Sequence, residues 1–224
     1  MYHSKKIPLL GGVGFLALSI FLNAFGNALT IQAGLGSAPW TASAVNLSMA
    51  LNLSLGTVLI IIGVLLIIVN TILSKEINPH LIAGNLVFIF FFGNLVGFFS
   101  SVIQQVNLGE LVLYFRLLFD VLGLMLISMG VSIYQRVYWI IHPGDEMVNI
   151  LRFKYFHGDP VKAVWVNFSI PMLLSFLSIF QNGELYAVNI GTVLAFFFMG
   201  ALIGWWDKTL FKHLTHRTLQ RNAG

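Results

Sequence analysis

Six long apolar stretches, at residues 9–32, 55–73, 81–103, 111–135, 161–180 and 187–206, dominate this 224-residue chain. The chain has 12 Lys and Arg and 8 Asp and Glu, of which the stretches contain only Arg116, Asp120 and Lys162. A helix needs about 20 mostly apolar residues to cross the hydrocarbon core of a bilayer. Each stretch has that reach, so the fold class is all-α transmembrane with six spanning helices. Charged residues make up 9% of the chain, against about 25% in soluble domains, which need them on a water-facing surface. The net charge of +4 is dispersed at the ends of the stretches. No basic stripe marks a nucleic-acid partner; the partner the composition implies is the lipid bilayer.

The Lys and Arg positions orient the spans. Lys5, Lys6, Lys75, Arg136, Arg152, Lys154, Lys162, Lys208, Lys212, Arg217 and Arg221 fall on one side, and only Arg116 on the other. By the positive-inside rule this is a multi-pass cell-membrane protein with both termini cytoplasmic. The first stretch exceeds the about 7–15 apolar residues of a signal peptide and reads as a retained helix. Making 39–54 and 144–157 into further spans would draw Arg152 and Lys154 into the bilayer and put Arg136 outside, so six spans fit better. The segment after Asp207 reads as a basic cytoplasmic tail (208–224) lying against anionic headgroups.

Two segments are neither spans nor ordinary loops. One runs from Ala33-Gly34-Leu35-Gly36-Ser37-Ala38-Pro39-Trp40-Thr41 to Ser54 and carries no charge. The other runs from His142-Pro143-Gly144-Asp145-Glu146 to Asp159-Pro160. Each opens on Pro and is long enough for a short interfacial or re-entrant helix but too short to cross. They also align with each other. At an offset of 104, Leu22, Gly26, Pro39 and Leu47 fall on Leu126, Gly130, Pro143 and Leu151; at 107, Gly84, Gly93 and Gly97 fall on Gly191, Gly200 and Gly204. The order of elements recurs as well, which divides the chain into a first repeat (1–107) and a second (108–207). Three spans per repeat is an odd number, so the copies are expected to be inverted, a common transporter architecture. The glycines of each last span are expected to let helices approach closely.

Ionisable residues within a membrane are costly and become candidates for function. Arg116 and Asp120, at i and i+4, have the spacing of a helical salt bridge. Asp145 and Glu146 open the inner short helix, where the helix dipole favours carboxylates and a substrate-cation or proton site is the sharper reading. Asn149, one turn on, is expected on the same cavity-facing side. Gly34, Gly36, Pro39, Trp40 and Thr41 form the outer equivalent. Irregular backbone at membrane depth is tolerated only beside protein or a water-filled cavity. The substrate-binding candidates are therefore Gly34, Gly36, Pro39, Trp40, Thr41, Pro143, Asp145, Glu146 and Asn149. Asn23, Asn27, Asn85, Asn94 and Asn167 are expected to make interhelical hydrogen bonds, and Asp159-Pro160 to cap the fifth span. There is no cysteine, and the six histidines show no ligand spacing, so neither a metal nor a cofactor is expected. Neither a Walker loop, a nucleophile elbow nor a His-Glu-x-x-His helix is present, and the chain does not read as an enzyme.

Gly34-Leu35-Gly36-Ser37-Ala38-Pro39-Trp40, Leu55-Gly56-Thr57-Val58, Pro143-Gly144-Asp145, Ile190-Gly191-Thr192-Val193 and Ile203-Gly204 together resemble the YczE/YyaS/YitT group of bacterial integral membrane proteins, especially its YczE-like branch. The resemblance covers most of the chain. It implies a small six-helix protein with a role in export or transport of a small molecule. The group usually has an acidic residue after Pro-Trp, where this chain has Thr41, so any cation or proton coupling that rests on that carboxylate is either lacking here or carried by the second-half Asp145. Its stretch before the final Gly-Thr is also normally richer in glycine than Gln181 to Val188. The leading reading is a small secondary transporter with its site between the halves. Its rivals are a non-transporting accessory protein, as a homodimer or with another membrane partner, and the substrate-binding subunit of a multi-component importer.

Overall fold

Four helices begin at a proline: α2 (Pro39–Leu51), α4 (Pro79–Gln104), α6 (Pro143–Ile150) and α7 (Pro160–Asn182). Proline suits the first helical turn, because its fixed φ is helical and the missing N–H would have no partner there. The other helices are α1 (Leu9–Ala33), α3 (Leu55–Ser74), α5 (Leu113–Val137) and α8 (Ile190–Thr209). The computed structural model describes residues 9–214. Lys5, Lys6, Arg217 and Arg221, which contribute to the charge asymmetry, lie outside the described residues. No strand occurs among the described residues.

Six helices, all but the short α2 and α6, are long and apolar enough to cross a membrane. Their outward faces carry large bare hydrophobic side chains, such as Phe180 at 91% exposed and Ile72 at 68%. On a soluble protein such a surface would aggregate; against lipid it is the favourable one. The chain is a multi-pass membrane protein.

Local chemistry sets the helix ends. Ser54 caps α3 by accepting from the Thr57 N–H at 3.2 Å, and Lys75 ends it in a left-handed conformation (φ 55°). Asn189 and Thr192 form a reciprocal capping box on α8. Asp159 accepts from the Lys162 N–H at 3.1 Å, the capping role expected of it. After Ile150, α6 runs on as a single π-helical turn, Leu151–Tyr155.

The packing centre is the crossing of α1 with α5. A Cβ on Gly26 would lie 2.6 Å from the Gly123 carbonyl oxygen, and one on Gly130 2.6 Å from that of Ser19, so only glycine allows this approach. Around this pair, α4 packs on α1 and α8 packs on α5. The short helices cross over: α2 packs on α7, and α6 packs on α3. Matching ties hold the short helices at their far ends. Gln181 at the end of α7 donates to the Ala50 carbonyl at 2.7 Å, while Lys154 after α6 donates to the Ser74 carbonyl at the end of α3, at 2.5 Å.

The glycines of α4 and α8 behave unequally. Gly84 packs against the Trp139 carbonyl and Gly93 against Gly56, as expected of close approach. Gly97, Gly200 and Gly204 have nothing within 4 Å of an added Cβ. At those three positions the packing expectation fails, because the residues face outward or toward a cavity.

Candidate functional site

α2 and α6 are drawn into the bundle rather than laid on its surface. In α2, Pro39, Thr41, Ala42, Ser43, Ala44 and Asn46 are buried. The turn before it depends on Gly34 (φ 67°) and Gly36 (φ 113°), backbone conformations that other residues rarely adopt. Gly36 lies against the start of α8, and the Leu35 carbonyl accepts from the Gly191 N–H at 2.6 Å. These two glycines shape the entry of α2 and do not line the cavity described next.

The first turns of α2 and α6 meet in the interior. Asn167 on α7, with its amide oriented to suit both neighbours, donates to the Gly144 carbonyl at 3.2 Å and accepts from Trp40 Nε1 at 3.1 Å. Beside this contact lies a cavity of about 90 Å³. Its lining includes Trp40 and Thr41 from α2, Asp145 and His142 from the α6 segment, Asn23 and Asn27 from α1, and Tyr134 from α5.

A continuous hydrogen-bond chain crosses this cavity wall. Thr41 Oγ1 donates to Asn27 Oδ1 at 2.5 Å, and Asn27 Nδ2 donates to Asn23 Oδ1 at 2.7 Å. Asn23 Nδ2 donates to the Tyr134 hydroxyl at 3.3 Å, which in turn donates to Asp145 Oδ2. Thr41 and Asp145, the third residues of their helices, thus sit at the two ends of one polar relay. Buried polar networks of this kind specify a single arrangement when every member is satisfied.

The charge state of the relay follows from burial. Burial pushes the Asp145 carboxyl up to about 6, and the hydrogen bond from Tyr134 acts against that shift. Burial also pulls the His142 imidazole down to about 4. At neutral pH Asp145 is therefore an anion and His142 is neutral. His142 Nδ1 accepts from the Gly144 N–H at 3.1 Å, which caps α6 and fixes its tautomer with the proton on Nε2.

Glu146 points the other way from Asp145. It lies at the base of an open crevice of about 530 Å³, lined by Asn149, Thr71, Ser74, Glu76 and His80 among others. Asn149 thus shares a face with Glu146 and not with Asp145. At the base, Asn85 Nδ2 donates to Glu146 Oε2, and Asn70 Nδ2 reaches both that oxygen at 3.4 Å and the Pro143 carbonyl at 2.8 Å. α6 is consequently a thin wall with the interior cavity on one side and the crevice on the other.

Arg116 and Asp120 do not pair. Arg116 turns away from Asp120 and caps α1, donating through Nε to the Ala33 carbonyl and through Nη2 to that of Gly34, each at 2.8 Å. Two helix-terminal carbonyls, which have no partner within α1, outcompete the i, i+4 carboxylate. Asp120 is fully buried, its carboxylate oxygens have no hydrogen-bond partner among the described residues, and it abuts Gly191 in the first turn of α8. The positive end of that helix dipole favours a carboxylate there. Asn94 also departs from expectation: it is exposed and bonds the Phe90 carbonyl of its own helix. Among the described residues no group of His, Cys, Asp and Glu is arranged to hold a metal ion.

Sequence reading missed Tyr134, His142 and Asn70. Asn70 had a usable signal, as an amide in an otherwise apolar span. Tyr134 had none, since an aromatic near the end of a span is ordinarily an interfacial anchor.

Comparison with known proteins agrees with the resemblance read from the Gly-Leu-Gly-x-x-Pro-Trp run. The family described as "Family of unknown function (DUF6198)" matches residues 11–208. The uncharacterized protein YyaS of Bacillus subtilis (strain 168) is 33% identical over 141 residues, covering 63% of this chain and 66% of YyaS. The match therefore spans just under two thirds of that relative's length. No solved structure matches the chain.

Proposed function

The chain belongs to the DUF6198 family of unknown function, and we propose that it is a small secondary transporter whose substrate binds in the cavity between Thr41 and Asp145. The observation that carries this reading is the meeting of two half-helix starts at one interior cavity, joined by the relay from Thr41 to Asp145. Discontinuous helices whose ends converge near the middle of the bundle are how many transporters build a substrate site.

An inverted repeat underlies this reading. The starts of α5 and α6 fall 104 residues after those of α1 and α2. The crossed packing, α2 on α7 and α6 on α3, supports two halves related by a two-fold axis in the membrane plane. In this arrangement the protein sits in the cell membrane with both termini in the cytoplasm. The open crevice beside Glu146 then faces the cytoplasm, and the cavity at Asp145 is closed from it by α6.

The cavity is well below the about 300–1,000 Å³ of drug-sized sites, so the substrate is compact. The test is thermal stabilisation of the purified protein by a panel of small metabolites, followed by flux in proteoliposomes. A ligand at about 100 times its dissociation constant should stabilise by roughly 2.7 kcal/mol. Asp145→Asn and Trp40→Ala should each abolish that shift and the flux. Stabilising compounds that neither variant affects, or that never cross the vesicle membrane, would falsify the reading.

A further inference from the structure

The residues around Glu146 form a second polar cluster, separate from the relay. Glu146 is 7% exposed, Asn70 2% and Asn85 1%. Both amide nitrogens point at the same Glu146 oxygen, and the amide oxygens Asn70 Oδ1 and Asn85 Oδ1 are buried with no hydrogen-bond partner among the described residues. Two stranded acceptors beside one carboxylate are costly, since a buried polar atom without a partner has lost its water and gained no bond in return. Among the described residues no Lys or Arg lines the crevice, and Lys154, whose ammonium is held by the Ser74 carbonyl at its rim, does not bond the carboxylate; the other ionisable groups of the lining are Glu76, His80 and Tyr138.

From this arrangement we infer that Glu146, Asn70, Asn85 and the Pro143 carbonyl form a binding site for a monovalent alkali cation, entered from the crevice. An amide presents either its nitrogen or its oxygen by a half-turn about its terminal bond. With an ion against Glu146, the Asn70 and Asn85 oxygens turn inward, and with the Pro143 carbonyl they complete an all-oxygen cradle. Hard cations select oxygen ligands, and a single carboxylate balances a single positive charge. Without the ion, the same amides turn their nitrogens to Glu146. Because Pro143 and Glu146 both belong to α6, the ion ties that helix to α3 and α4. Burial raises the affinity of Glu146 for a proton, while its bonds from Asn85 and Asn70 oppose this. Proton and ion therefore compete for one carboxylate.

If the protein transports as proposed, this cation is the coupling ion, but binding itself can be tested without a substrate. The full-length protein in detergent is titrated with sodium, lithium or potassium chloride replacing choline chloride at constant ionic strength, with unfolding temperature as readout. One of the three should raise it saturably, by about 5–10 °C at 100 times the dissociation constant. Asn85→Ala should weaken the apparent affinity at least tenfold, Glu146→Gln should abolish the response, and Glu110→Gln, at the opposite end of the bundle, should retain it. In the unmodified protein the half-saturating concentration should rise as pH falls. An identical response to choline, a response that survives Glu146→Gln, or a midpoint independent of pH overturns the site. A cation response without flux of any ligand removes the transporter reading and leaves the site; flux with no cation response removes the site and leaves transport.

Discussion

α2 and α6 each open on a proline and each pack against a middle helix of the other half, yet their polar groups differ in kind. The bonds that tie α2 to its neighbours among the described residues are neutral. Asn46 donates to the Tyr186 carbonyl at 2.5 Å and accepts from the Tyr186 N–H at 2.8 Å, and Thr41 bonds Asn27. α6 is built around two carboxylates facing opposite sides, each satisfied by neutral donors from other helices. One short helix is thus a fixed element, and the other changes its charge with its surroundings. A transport step needs both a rigid reference and a part that responds.

The largest effect should come from the fixed side. Asn46→Ala removes the partner of both the N–H and the carbonyl of half-buried Tyr186, at about 1 kcal/mol each, and leaves a void where a fully buried side chain stood. We expect a loss of roughly 2–4 kcal/mol in detergent unfolding, unchanged between pH 5 and pH 8. A loss that varies with pH would mean that α2 is not the inert partner.

Asp145→Asn should act in the opposite sense. The native carboxyl holds its proton up to about pH 6, above the ordinary aspartate range of about 4, so the folded state binds more protons than the unfolded one between those values. That stabilisation is complete below pH 4 and lost as pH rises through 6. Asparagine cannot ionise, so the variant should be more stable than the parent above pH 6, by on the order of 2–3 kcal/mol, with no difference at pH 4. Parallel pH profiles of the two proteins would exclude a buried anion at this position.

Exchanging the ends of the relay sharpens the contrast further. Thr41→Asp combined with Asp145→Thr moves the carboxylate to α2, and the fall in stability with rising pH should persist at about 1–2 kcal/mol. If it vanishes, the response belongs to α6 and not to the relay. The smallest effect is expected at Asn52, which ends α2 in a left-handed conformation (φ 53°). Asn52→Gly should stabilise by no more than about 1 kcal/mol, since glycine adopts that conformation freely.

Much of this was legible in the sequence because bilayer crossing demands a length and an apolarity that composition exposes directly. The six spans could be read that way; the two Pro-led segments, from which Trp40, Thr41 and Asp145 come to line one cavity, were legible from their length and opening prolines. What escaped reading depended on direction. Asp145 and Glu146 are adjacent in sequence, and a helix turns them toward different spaces, so Asn149, read as sharing a side with both, shares one with Glu146 alone. Arg116 and Asp120 have salt-bridge spacing, but the arginine's long side chain reached the free carbonyls of α1. The amide of Asn85 looked like general interhelical bonding and Asn70 drew no reading, and only their convergence on Glu146 gives them a specific role.

The glycine crossing of α1 and α5 has a mechanical consequence. Gly26 meets Gly123, and two turns away Gly130 meets Ser19 and Asn23, so the two backbones touch at both places, with Ile127 and Thr30 seated beside the first. A joint held at two points fixes both how far apart the rods lie and the angle between them. The relay residues Asn23 and Asn27 flank this joint on α1, and Tyr134 lies one turn beyond Gly130 on α5, so the joint sets their spacing directly.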